Sequence, residues 1–196
     1  MLMNTEPITI VAGLPRSGTS MMMQILVAGG IPPLTDHIRR ADEDNPKGYY
    51  ELEAVKKVKE DASFLDGAGG KVFKMVHLLL LDLPEGRTYR VVFMRRRIEE
   101  VLASQKKMLE RMGKSGGNLP DEKLAEIFED QVAKVQAFLA ARPNFSVLYV
   151  NYNRILQDPE PVVKEINDFL GGNMNVRAMM EVVDPTLYRQ RTSVSE

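Results

Sequence analysis

Arg16, Ser17, Thr19 and Ser20 crowd into Gly13-Leu-Pro-Arg-Ser-Gly-Thr-Ser20. A cation, three hydroxyls and a run of main-chain N–H groups in one tight turn suit a phosphate-like anion. Gly13 and Gly18 stand five apart, the spacing of the nucleotidase loop G-x-x-x-x-G-K-[ST]. Thr19, however, occupies the place of the phosphate-binding lysine, and the cation sits inside the loop as Arg16. A generic glycine-rich turn is the weaker reading of so polar a stretch. A second pair is Arg96 and Ser104, eight residues apart. An arginine at a strand end and a hydroxyl two turns into the next helix can share an anion, though each is common on its own as a solvated surface residue.

The elements that must hold these residues follow from pattern. Residues 8–12 form a short β-branched run between Pro7 and Gly13 and predict a buried strand. The segment 18–27 predicts a helix, stopped by Gly29-Gly30 and Pro32-Pro33. Further strands are expected at 71–76, 89–94 and 146–150. Helices are expected at 53–65, 98–112, 121–141 (capped by Asp121), 153–157, 161–170 and 175–182. Met21, Met22 and Met23 read as core filling. Strands alternating with helices predict an α/β fold: a parallel sheet with helices on both faces, a three-layer sandwich of P-loop type. Ligands of such sheets bind at the carboxyl ends of the strands, where the 13–20 loop, His77 and Arg95–Arg97 should meet.

Composition sets the bounds. The chain has 196 residues, 44% of them apolar and 27% charged, and reads as a single domain over 1–196. A net charge of −1 gives no global attraction to nucleic acid or to a membrane, so any anion site is local. Cysteine is absent, which excludes disulfides and thiol catalysis and accords with a cytoplasmic protein. No apolar run approaches the ~20 residues a membrane span needs. The polar stretch 35–48, which contains His37, reads as a long loop beside the phosphate turn.

The loop GLPRSGTS resembles the 5′-phosphosulfate loop of sulfotransferases that use 3′-phosphoadenosine 5′-phosphosulfate (PAPS), P-[KR]-S-G-T-[ST]. VVFMRRRIEEVLASQ is similar to their 3′-phosphate segment, and VLYVNYNRILQDPEPVVKEINDFLG to a third segment with Tyr-Glu-Asp-Leu and Phe-Leu-Gly. All three occur in the family order. The resemblance implies that Arg16, Ser17, Gly18, Thr19 and Ser20 hold the 5′-phosphosulfate, that Arg96 and Ser104 hold the 3′-phosphate, and that Tyr152 contacts the adenine. Arg189 or Arg191 in the tail would add to the 3′-phosphate site. Two places depart from the pattern: Arg97-Ile98 replaces Asp-Pro, and Asn153-Arg154 replaces Glu-Asp.

Sulfuryl transfer builds negative charge on the leaving 5′-phosphate, which a fixed guanidinium and N–H donors stabilise. Arg16 fits that role and cannot readily act as an acid. No metal is called for. The acceptor, a small molecule or glycan bearing a hydroxyl or amine, needs a general base. His77 in Lys74-Met-Val-His77 resembles the family's Lys-x-x-His and is the first candidate, with Lys74 adding charge near the sulfuryl group. Glu51 is the rival base. The bland readings are a buried structural histidine and a helix-terminal acid. Tyr49 and Tyr50 would either wall the acceptor site or simply pack the loop. Other functions that the loop permits are a P-loop kinase or nucleotidase, or a non-catalytic nucleotide-binding domain of the same fold. Acceptor identity and oligomeric state have no readable code.

Overall fold

A computed structural model describes residues 6–36, 50–114, 117 and 119–184. Its centre is a four-stranded parallel sheet ordered β2-β1-β3-β4. The strands are β1 (Ile8–Gly13), β2 (Val72–Val76), β3 (Tyr89–Arg95) and β4 (Phe145–Asn151). Parallel neighbours require crossovers, and the intervening chain covers both faces. Every residue of β1 is buried, the mark of a strand enclosed on two sides.

Period-two alternation divides the core. Ile8, Ile10, Ala12, Phe73, Met75, Tyr89, Val91, Phe93 and Phe145 face one layer, with Val135 and Leu139 of α3 (Asp121–Ala140). Val11, Val72, Val92, Met94 and Val150 face the other. There they meet α1 (Thr19–Ala28), α4 (Tyr152–Gln157), α5 (Pro159–Phe169) and α6 (Val176–Val182). Met22 and Met23 are fully buried in this second layer, as core filling requires. Between β3 and α3 runs α2 (Ile98–Arg111). Among the described residues no helix is long and apolar enough to cross a membrane.

The expected helix over 53–65 is instead two 3-10 turns, Glu53–Lys57 and Ser63–Gly67. Asp61 explains the break: its carboxylate accepts from the Ser63 N–H at 2.9 Å, a local bond that competes with continuing the helix. That bond also draws the Asp61 carboxyl below its usual range. Val55, Val58 and Leu65 still pack on the sheet, so the apolar stripe survives without the helix. His77–Asp82 is likewise a 3-10 turn. Helix α3 begins at Asp121 with Pro120 in the cap position, so Asp121 complements the dipole rather than capping.

Phe93 is 1% exposed in the central strand β3, its ring 5.6 Å from that of Tyr149. Phe93→Ala should lower unfolding free energy by about 3–5 kcal/mol in urea titrations. A loss below about 1 kcal/mol would show that this layer is not tightly packed.

Candidate functional site

The turn after β1 presents its polar groups at the sheet edge. Ser17 N–H bonds the Leu14 carbonyl at 3.1 Å, closing the loop. Arg16 has φ 72°, a left-handed conformation unusual for a side-chain-bearing residue. Gly18, φ 98°, is the N-cap of α1, and no side chain caps that helix. The helix therefore begins with main-chain donors directed at the loop. Ser17 is 1% exposed, and its buried Oγ has no hydrogen-bond partner. An orphaned hydroxyl beside an uncapped helix is unusual in a protein interior and suits an arriving anion.

Gly18 is needed for space as well as for conformation. A Cβ there would lie 2.3 Å from Cδ2 of Tyr152. The aromatic ring that opens α4 thus seals the back of the loop. Its other neighbour is Arg96, whose guanidinium carbon stands 4.4 Å from the ring centre. Burial pushes the Tyr152 phenol up, partly offset by Arg96, so it stays a donor. The loop after β1 and the helix after β4 are therefore in contact, although β3 lies between their strands.

Arg96 binds the loop backbone directly. Its Nη1 donates to the Arg16 carbonyl at 3.1 Å, and its Nε to Glu100 at 2.9 Å. Arg16 in turn donates from Nε to Ser104 Oγ at 3.0 Å. The sequence pairs Ser104 with Arg96; the structure bonds it to Arg16. Gln105 adds a bond to the Pro15 carbonyl at 3.4 Å. Among the described residues no carboxylate pairs with Arg16.

A second cluster lies toward β2. Lys74 Nζ donates to Ser20 Oγ at 3.3 Å and stands 3.8 Å from the Glu51 carboxylate. The Glu51 main chain is held by Thr35 Oγ1 at 2.8 Å and the Asp36 N–H at 3.2 Å. Its side chain is 23% exposed. His77 begins just past β2, whose last residue, Val76, pairs with Gly13 in the strand register. It is 2% exposed, with Nε2 3.2 Å from Gln131 Oε1. Burial holds its pKa below the ordinary imidazole value, while Gln131 and the Gly13 main chain partly oppose that. Gln131 closes over the ring from α3.

The structure brings Arg16, Ser17, Gly18, Arg96, Ser104 and Tyr152 into one network, with Lys74, Ser20 and Glu51 adjoining it. His37, Tyr49, Arg189 and Arg191 lie outside the described residues. Sequence reasoning missed Glu100 and Gln131, and read Asn153 only as a departure. Asn153 Nδ2 donates to both oxygens of Glu100, at 3.0 and 3.2 Å. The available signal was the spacing of Arg96 and Glu100, an i, i+4 charge pair at a helix start.

A family model described as "sulfotransferase domain" matches residues 6–193. No curated protein sequence matches the chain. Among solved structures, a sulfotransferase domain from the curacin biosynthetic pathway superposes with TM-score 0.56 at 16% identity, covering 91% of this chain and 78% of that one. The sulfotransferase domain of the Synechococcus PCC 7002 olefin synthase gives 0.56 at 18% identity, covering 98% and 90%. A sulfotransferase from Mycobacterium tuberculosis gives 0.57 at 17% identity, covering 90% and 71%. These likenesses support the fold, while the family match extends through the phosphate loop, the Arg96–Ser104 segment and the Tyr152 helix. The chain belongs to the sulfotransferase family.

Proposed function

We propose that this sulfotransferase takes its sulfuryl group from PAPS and passes it to the hydroxyl or amine of a small molecule or glycan. The observation that carries the reading is the anion cradle: Ser17 Oγ buried without a partner, α1 uncapped, and Arg16 unmatched by any described carboxylate. PAPS supplies an activated sulfuryl on a 5′-phosphate. Arg16 and the Ser17–Ser20 donors would hold that end, with Thr19 as a phosphate hydroxyl in place of a lysine. Arg96 and Ser104 would meet the 3′-phosphate, and Tyr152 the adenine. The location that suits this reading is cytoplasmic.

For the base we favour Glu51 over His77. Glu51 is partly open beside Lys74 and Ser20, where an acceptor hydroxyl can approach. His77 is enclosed beneath Gln131, and a base must come within hydrogen-bond reach of the proton it takes. Lys74 then keeps Glu51 in place and adds positive charge next to the loop. The neutral imidazole of His77 packs the end of β2 against α3.

Transfer from labelled PAPS across an acceptor panel tests the whole reading. Arg16→Ala should slow transfer by about 100-fold or more, since it removes charge from the leaving phosphate. Glu51→Gln should cost a similar factor, on the order of 100-fold, with binding of adenosine 3′,5′-bisphosphate retained. If His77→Asn rather than Glu51→Gln abolishes transfer, the base assignment reverses. Magnesium-dependent ATP turnover without sulfuryl transfer would favour a kinase instead.

His77 also has a pH signature. Its folded pKa lies below the ordinary value of 6.5, so the unfolded chain takes up the proton first as pH falls. Stability should therefore be full above pH ~6.5 and decline below it. Urea unfolding of His77→Asn should show a flatter slope over that window than the parent. Identical slopes would mean that His77 is not held neutral by its burial.

A further inference from the structure

Glu100 sits in the first turn of α2, where an acidic side chain serves the helix dipole well from the surface. Its side chain is instead 0% exposed. A carboxylate taken out of water is costly unless its oxygens are bonded and its charge is met. Here both conditions hold. Oε2 accepts from Arg96 Nε at 2.9 Å, and the Asn153 amide donates to Oε1 and Oε2 at 3.0 and 3.2 Å. The charge is met by the Arg96 guanidinium, which is itself 7% exposed, lies over the Tyr152 ring and holds the Arg16 carbonyl.

The geometry fixes Arg96 from several sides. Glu100 takes Nε, the loop carbonyl takes Nη1, and Tyr152 lies against the face. A guanidinium so held has the plane of its fork set in one orientation before any ligand arrives. Asn153 completes the arrangement. With Glu at that position, as in the pattern the chain otherwise resembles, two carboxylates would face one another in a buried space. An amide there donates where a second carboxylate would repel. The departure at position 153 and the buried acid at position 100 thus form one unit.

We propose that Glu100, steadied by Asn153, is a positioning residue that orients Arg96 toward the 3′-phosphate and so sets selectivity for the bisphosphorylated nucleotide. The proposal rests on the reading that Arg96 meets the 3′-phosphate. It assigns Glu100 no contact with the nucleotide. Its effect runs through the guanidinium plane, so it should be confined to ligands carrying the 3′ group.

Calorimetry on the full chain with adenosine 3′,5′-bisphosphate and with AMP separates these ideas. Arg96→Ala should weaken bisphosphate binding by on the order of 10-fold or more, with AMP within about twofold. Equal losses for both ligands would overturn the 3′-phosphate reading itself. Given a selective Arg96→Ala, Glu100→Gln should lower the bisphosphate-to-AMP preference by about 10-fold. In the Arg96→Ala background it should add little, because both changes remove the same interaction. The double change Glu100→Gln/Asn153→Asp restores one carboxylate facing one amide and should recover most of the preference. A preference unchanged in Glu100→Gln overturns the proposal, as does an equal loss in both backgrounds. If Glu100→Gln does not fold, Asn153→Ala decides: it leaves the Arg96–Glu100 pair but frees the carboxylate. A reduced preference there supports the positioning role, and an unchanged one overturns it.

Discussion

The hydrogen bond from Arg96 to the Arg16 carbonyl holds the site in its shape. Arg16 occupies the left-handed region, where a side-chain-bearing residue costs about 1–2 kcal/mol. That conformation persists only where its surroundings over-determine it. Here the Arg16 carbonyl is held by Arg96, its side chain by Ser104 and the preceding Pro15 carbonyl by Gln105. All three restraints come from the β3–α2 segment. The anion loop is therefore shaped by a neighbouring strand and helix as much as by its own glycines.

Parallel topology makes this possible. Each strand contributes to the site toward or just past its carboxyl end: the loop after β1, Lys74 in β2, Arg96 after β3, and Tyr152 after β4. β1 lies between β2 and β3, so its loop has neighbours on both sides. Lys74 reaches Ser20 from the β2 side, and Arg96 reaches Arg16 from the β3 side. Tyr152 closes the remaining direction against Gly18, where no larger residue fits without moving the ring. The two apolar layers bind these segments to one rigid sheet, which is what lets short polar contacts be reproducible.

How much of this was readable from the chain follows from how local each feature is. The strand, loop and first helix were legible because their signals are contiguous: β-branched residues, two glycines, then an apolar run. The core alternation was legible for the same reason. The single helix expected over 53–65 was not observed, because Asp61 offers the Ser63 N–H a competing partner that periodicity does not register. Ser104 was found by its spacing from Arg96, yet it bonds Arg16, and spacing within one segment says nothing of a partner 88 residues away. Glu100 was invisible for a related reason: a glutamate in the first turn of a helix has an adequate surface explanation, and only packing shows it buried.

Charge balance explains why an arginine, rather than the usual lysine position, can serve this loop. Arg96 is neutralised by Glu100, and Lys74 stands beside Glu51. Arg16 differs from the other two: among the described residues no carboxylate pairs with it, and its side-chain partner is the Ser104 hydroxyl. The surplus positive charge of the network thus lies on the residue that precedes Ser17, with its orphaned hydroxyl, in the loop leading to the uncapped helix. In a partly desolvated site an unmatched guanidinium acts more strongly on an arriving anion than one already paired. A neutral hydroxyl is also a partner that Arg16 can exchange for a charged oxygen with net gain, whereas leaving a carboxylate would cost a charge-assisted bond. The paired cations keep the frame in place, and the unpaired one remains available for the chemistry.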